Sequence, residues 1–169
     1  MQNTKQSAKP WVIAMTFASF VGMLDAGYLT YEKLTHQTPG CGAGFDCSGV
    51  LNSPWASIGP VPLSAIGLLF YLTVYVICVL SLVGITLPKW GQPTIWQNFL
   101  HFFTRHADVP NVPYLITLGT MGLVFSLFLI FLMGVVIQAW CLYCLISALV
   151  SSALFLFSLG IRHTARHDS

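Results

Sequence analysis

Hydrophobic and polar positions along this chain are sorted into long blocks rather than interleaved. No charged residue occurs from Pro10 to Leu24, and apolar character resumes after Asp25 with Ala26, Tyr28, Leu29 and Tyr31. This predicts a first helix over 10–31, long enough to cross the hydrocarbon of a bilayer. Lys5 and Lys9 precede it as in a signal peptide, but the apolar stretch is too long and has no small-residue cleavage site, so the helix is expected to be retained. Residues 47–88 contain no charged side chain, and Pro60, Pro62 and Ser64 lead into the run Ala65 to Leu87, which predicts a second span over 64–87. Residues 109–161 are again free of charge. That length requires two crossings, over 112–134 and 139–160, with a turn near Gly134 to Trp140.

The pattern therefore predicts an all-α membrane protein: a four-transmembrane-helix bundle forming a single integral membrane domain over 1–169. A cysteine-bearing outer loop, 32–63, joins helices one and two, and a cytoplasmic loop, 88–111, joins helices two and three. Composition strengthens this reading, since 56% of residues are hydrophobic, only 7% are charged and mean hydropathy is +0.76. A water-soluble enzyme or a nucleic-acid-binding module is excluded. The net charge of +2 rests on too few groups to indicate partners, but their placement is informative. Lys5, Lys9, Lys89, Arg105, Arg162 and Arg166 fall on one side of the four-span topology and Lys33 alone on the other. By the positive-inside rule both termini are expected in the cytoplasm.

Two readings of the second connection stay open. Trp90, Trp96, Phe99, Phe102 and Phe103, set among His101, Arg105 and His106, suit an interfacial segment or a loop whose aromatics anchor the adjoining helices. Gly122, Gly134, Ser147, Ser151 and Ser152 read as helix-packing positions.

Cysteine placement brings in the chemistry. Cys141 and Cys144 form a CLYC motif at the outer end of the fourth helix. Residues three apart share a helix face and can close a small disulfide loop, while the free amides and dipole of a helix N-terminus favour the reactive thiolate. Cys41 and Cys47 lie on the first outer loop in CGAGFDC, where Gly40, Gly42 and Gly44 allow the tight path of a small disulfide ring. Both pairs fall on the same, oxidising side of a topology derived from charge and hydropathy alone. Redox exchange, two inert stapling disulfides and a zinc site drawing on His36 are all compatible with the spacing. Exchange is the best fit, and no metal is expected.

Three further residues have two readings each. Cys78, inside the second helix, reads as a small hydrophobe. Asp25, near the outer end of the first helix, is either functionally paired or placed at the headgroups. Asp46 either tunes its neighbour Cys47 or is simply an exposed loop acid.

Thiol exchange only moves oxidation around, so a final acceptor is needed. No flavin, haem or nucleotide signature is present, whereas the apolar interior beside Cys141 and Cys144 suits a lipid-soluble two-electron acceptor such as a quinone. Cys144, one turn deeper than Cys141, is the expected quinone-facing thiolate.

The combination Cys41, Cys47-Ser48, Ser53, Pro54, then Pro62-Leu63-Ser64 with Gly67 and Tyr71, and finally Cys141-Leu-Tyr-Cys144-Leu-Ile-Ser147, resembles the vitamin K epoxide reductase family, especially its bacterial members. The resemblance covers roughly residues 10 to 160. It implies a quinone-coupled thiol oxidase of the bacterial cytoplasmic (inner) membrane, a functional analogue of DsbB, with ubiquinone or menaquinone as electron acceptor. Its implied partner is an extracytoplasmic thioredoxin-like or DsbA-like protein. Carried over by position, Cys41 would meet the partner's thiols, Cys47 would exchange with Cys141, and Cys144 would face the quinone. Ser53 resembles the family's loop Ser/Thr near the quinone end and would be cofactor-binding.

Two departures matter. Animal members have an asparagine near the start of the second helix, where Leu63 and Ser64 stand here, which weakens the alternative of quinone or vitamin K epoxide reduction. Many bacterial relatives carry a fused thioredoxin-like domain, whereas here few residues follow the fourth helix, so the partner is expected to be a separate protein. A disulfide-stapled membrane scaffold without turnover is the remaining alternative.

Overall fold

A computed structural model describes residues 2–37, 40–42, 44–85 and 112–167. Four of its helices are long and apolar enough to cross a membrane: Lys9–Leu34, Leu63–Val83, Tyr114–Ile137 and Leu142–His163. The expected four-span bundle is therefore the observed fold. The expected reading of 88–111 lies outside the described residues.

Helix α1 runs Gln2–Leu34, longer at both ends than the apolar run. Its residues past Tyr31 include Glu32 and Lys33, and the buried Glu32 shows that the helix continues into protein rather than into a loop. After it come the short helix α2, Cys47–Leu51, one 3-10 turn, Pro54–Ala56, and a two-residue hairpin. In the hairpin β1, Ser57–Ile58, pairs antiparallel with β2, Val61–Pro62. Pro62 then opens helix α3, Leu63–Val83, where its fixed φ suits a helix start. Helix α3 ends short of the expected Leu87 because Gly84 adopts φ 86°. The Gly84 and Ile85 amides close the helix by donating to Ser81 and Leu80 carbonyls.

Helix α4, Val112–Phe131, passes into a π-helical stretch, Leu132–Ile137, that stops at Gln138 with φ 54°. Helix α5 runs Leu142–His167, later than the expected 139, because Gln138 to Cys141 form the turn. A π-helical stretch has no signal in a periodicity argument, so the third span continues to Ile137, past the expected 134.

Helix α1 packs against both α3 and α5, and α4 packs chiefly on α5, leaving α3 and α4 only lightly in touch. The main core is formed by Met15, Tyr71, Val74, Cys78, Leu115 and Leu154, with others. Glycines permit the closest approaches: a Cβ on Gly22 would stand 2.5 Å from the Tyr71 ring, and one on Gly122 2.7 Å from Phe70. Phe17, Leu69, Met121 and Leu149 point outward and are exposed, as a bundle in lipid requires. A second, smaller core at one end of the bundle comprises Leu29, Cys47, Val50, Leu51, Met133 and Cys141, and it holds the chemistry.

Candidate active site

Cys41 and Cys47 are joined as a disulfide with Cα atoms 6.0 Å apart. The ring is anchored by Asp46, the N-cap of α2, whose carboxylate accepts from the Gly49 amide and the Ser48 hydroxyl, both at 2.8 Å. These two donors hold the Asp46 carboxyl below its ordinary value of 3.8. Gly49 is required here, because a Cβ at that position would collide with the Asp46 carboxylate. Asp46 is an exposed loop acid, as one of its two readings had it, and it also caps the helix that begins at Cys47.

Cys141 and Cys144 are free thiols. Cys141 is wholly buried, immediately before α5, and its sulfur accepts from the Cys144 backbone amide at 3.4 Å. The hydrogen bond from the Cys144 thiol, aided by the Cys144 and Tyr143 amides, lowers the Cys141 thiol below its ordinary 9.0 against the opposing effect of burial. The helix N-terminus therefore serves Cys141. A residue preceding the first helical turn, rather than one inside it, is the one at which the free amides point.

All four cysteines come together. Cys47 and Cys141 belong to the same small core, and Cys41 and Cys144 pack against it. Two hydrogen bonds link the loop to the CxxC segment. The Asp46 amide donates to the Trp140 carbonyl at 2.9 Å, and the Tyr143 hydroxyl donates to the Gly40 carbonyl at 3.3 Å. Among the described residues no three His, Cys, Asp or Glu side chains form a metal-binding group. Cys78 is wholly buried in the main core.

Beside this cluster lies a cavity of about 1020 Å³, bounded by residues of all four long helices and by the loop. It occupies the region where α3 and α4 barely meet. Cys144 contributes to its wall, and so do Ser53, Leu63, Ser64 and Tyr71. Cys141 does not, so the two thiols of the pair have different surroundings. Ser53 donates its hydroxyl hydrogen to the Val50 carbonyl at 2.7 Å. The Thr30 hydroxyl donates to Ser64 Oγ at 3.1 Å. The Tyr71 hydroxyl is held by the Ser147 carbonyl and hydroxyl, both at 2.8 Å, and by the Ser151 hydroxyl at 2.9 Å. Ser147 and Ser151 thus do more than pack helices.

Two wall residues, Lys33 and Phe70, are not legible as site components in the sequence, and Asp25, which has two readings there, joins them. Asp25 lines the cavity, and its Oδ2 is buried with no hydrogen-bond partner. Lys33 also lines it, with its ammonium donating to the Leu51 carbonyl at 2.6 Å. Phe70, packed against Gly122, forms part of the α3 side. A lone charge at a helix end was the available signal for Asp25 and Lys33.

The size and mostly hydrocarbon lining of the cavity fit a lipid-soluble ring compound such as a quinone. A few polar groups at one end of such a pocket fix a ligand's orientation.

The vitamin K epoxide reductase family model matches residues 13–159. The thiol-disulfide oxidoreductase LTO1 of Arabidopsis thaliana is 33% identical over 137 residues, covering 80% of this chain and 32% of that protein. The chain thus spans about a third of the length of that relative. Its disulfide-forming cysteines, together with a match across nearly the whole bundle, support an oxidoreductase function, and the chain belongs to the vitamin K epoxide reductase family.

Proposed function

We propose that this protein is a membrane thiol:quinone oxidoreductase that reoxidises a separate thioredoxin-like, disulfide-forming protein, in the manner of DsbB. The observation that carries the reading is the division of labour within the CxxC pair: Cys141 is buried in the same small core as Cys47, whereas Cys144, at the edge of that core, lines the apolar cavity. The name of the plant relative, a thiol-disulfide oxidoreductase, supports the same direction of chemistry. The cysteine end faces the extracytoplasmic side of a bacterial inner membrane, consistent with the excess of Lys and Arg at the other end.

In the first step a reduced dithiol partner attacks the Cys41–Cys47 disulfide at Cys41, which is the more accessible of the two, and releases Cys47 as a thiolate. Cys47 then attacks the Cys141–Cys144 disulfide at Cys141, beside which it packs. This attack expels Cys144 as the thiolate at the cavity; Cys41 then attacks Cys47 of the mixed disulfide, restoring Cys41–Cys47 and releasing Cys141, whose thiolate the Cys144 and Tyr143 amides stabilise. When bound, a quinone supplies an acceptor for two electrons and two protons. The chain's share is to hold that ring against Cys144, exclude water and furnish protons. Tyr71, held by Ser147 and Ser151, has a fixed hydroxyl at the cavity wall. Ser53 would have to turn from Val50 to donate to a ring carbonyl.

A second reading, quinone or vitamin K epoxide reduction, is favoured by the family to which the chain belongs. It uses the same four cysteines and the same cavity. Leu63 and Ser64 line that cavity where animal members have asparagine, and only Ser64 offers a hydrogen-bonding group. The readings are separated by incubating purified protein anaerobically with a reduced thioredoxin-like donor and either ubiquinone, menaquinone or vitamin K epoxide. Cysteine-dependent hydroquinone formation supports the first reading. Turnover of the epoxide alone supports the second, and no turnover of any of them leaves the stapled scaffold.

A further inference from the structure

Moving two electrons from a thiol pair to a ligand in an apolar cavity leaves charge there unless protons travel with them, and uncompensated charge in such surroundings is expensive. Among the described residues, four groups of the cavity wall can exchange a proton: Asp25, Lys33, Tyr71 and Cys144. Tyr71 is committed to Ser147 and Ser151. The Lys33 ammonium donates to the Leu51 carbonyl, about two turns along α1 toward the loop. Cys144 is itself the source of electrons. Asp25 remains, a carboxylate on a membrane-spanning helix with Oδ2 buried and unpartnered. Such a group is costly to keep in a membrane and marks function.

Its neighbours are those that proton transfer needs. Asp25 shares the cavity wall with Tyr71 of α3 and Cys144 of α5. From α4 the residues sharing the cavity wall nearest in kind are the uncharged Thr117 and Thr120.

Resting on the function proposed above, we infer that Asp25 is the proton carrier of the cavity, passing the Cys144 thiol proton to an oxygen of the bound quinone as the Cys141–Cys144 disulfide closes. The S–S bond forms with loss of two electrons and two thiol protons. One proton travels from Cys144 through Asp25. The other passes from Cys141 to the Cys144 sulfur, with which Cys141 shares a hydrogen bond, before the bond closes, and reaches the quinone by a second pass through Asp25. Two electrons and two protons leave the thiols, two of each arrive on the quinone, and the carboxylate is regenerated.

The test compares wild type, Asp25→Asn and Asp25→Glu by two readouts. One is the pH profile of Cys144 alkylation by iodoacetamide in reduced, quinone-free protein, mapped by mass spectrometry. The other is the rate of ubiquinone reduction. Asp25→Asn is expected to be alkylated at lower pH than wild type, because a neutral amide no longer opposes the thiolate, while its quinone reduction falls roughly 10²-fold. Asp25→Glu restores much of the rate with a profile near that of wild type. A full rate in Asp25→Asn overturns the inference, as does a lost rate with an unmoved alkylation profile. Should Asp25→Asn not fold, Asp25→Glu decides: a rate and profile near wild type support the carrier, and a rate as low as that of a Cys144→Ser variant overturns it. A wild type that reduces no quinone while the Asp25→Asn profile still shifts refutes the function reading and takes the inference with it.

Discussion

The backbone amide of Asp46 donates to the carbonyl of Trp140 at 2.9 Å, so the residue preceding Cys47 is bonded to the residue preceding Cys141. The bond spans more than half the chain and ties the segment that carries Cys47 to the one that carries Cys141. Tyr143, which lies between the two cysteines of the CxxC, adds a second link through the Gly40 carbonyl. Inter-pair exchange needs this proximity, and stapling does not.

That proximity predicts a specific cross-link. In a Cys41→Ser, Cys144→Ser double variant, Cys47 and Cys141 should oxidise to a disulfide with each other, seen by peptide mapping under non-reducing conditions. Recovery of both as separate free thiols after mild oxidation would break the proposed order of transfer. The complementary variant, Cys47→Ser, offered the oxidised, disulfide form of a thioredoxin-like protein, should attack it through Cys41 and hold it as a mixed disulfide.

Asp46 gives the loop a pH dependence with a definite sign. Its folded carboxyl is lowered by the Gly49 and Ser48 donors, so its capping is complete above the ordinary value of 3.8 and is lost as pH falls below that value through the depressed folded one. Reduction of Cys41–Cys47 by a phosphine should accelerate in that acid window in wild type. An Asp46→Ala variant should be reduced at the faster rate throughout, and an acid acceleration equal to that of wild type would detach the cap from the effect.

Tyr71 is 2% exposed and its hydroxyl is the partner of two serines. Tyr71→Phe leaves those groups short of a partner and should cost about 1–3 kcal/mol, read as a lowered midpoint of thermal unfolding in detergent. Gly22→Ala meets the same ring from the other side and should cost about 1–3 kcal/mol through overpacking. Pairing Gly22→Ala with a smaller residue at 71 should recover part of that loss.

Lys33 joins the end of α1 to the last residue of α2 through the Leu51 carbonyl. Lys33→Met keeps the side chain's bulk and removes that donor. Hydrogen exchange should then rise across 47–51 with little change in α3, and equal protection in both proteins would show the ammonium to be dispensable to the loop.

Much of this fold is written in the charge-free runs, because a bilayer permits few alternatives to a helix of sufficient length. Two features of the site could also be anticipated: a disulfide between Cys41 and Cys47, from glycine-rich spacing on one loop, and a helix-end location for the CxxC. What escaped depends on contacts distant in sequence. Nothing local reveals that the π-helical turn at 132–137 and Gln138 put Cys141 ahead of the helix rather than in it, and this is what gives that sulfur the free amides. Ser147 and Ser151 resemble ordinary small packing residues until Tyr71 arrives from α3. Asp25 drew notice as an acid in an apolar run, but only the packing of four helices makes it part of a cavity wall shared with Cys144.

The decisive measurement is a single turnover without any partner protein. Purified protein with all four cysteines reduced is mixed anaerobically with one equivalent of ubiquinone, hydroquinone is followed optically, and the disulfide state is mapped after quenching. The relay predicts hydroquinone formation together with one new disulfide, Cys141–Cys144 at first and Cys41–Cys47 once Cys47 has attacked it, and neither in Cys144→Ser. Hydroquinone formed at the wild-type rate by Cys144→Ser, or a Cys141–Cys144 disulfide that closes without quinone being consumed, would contradict it.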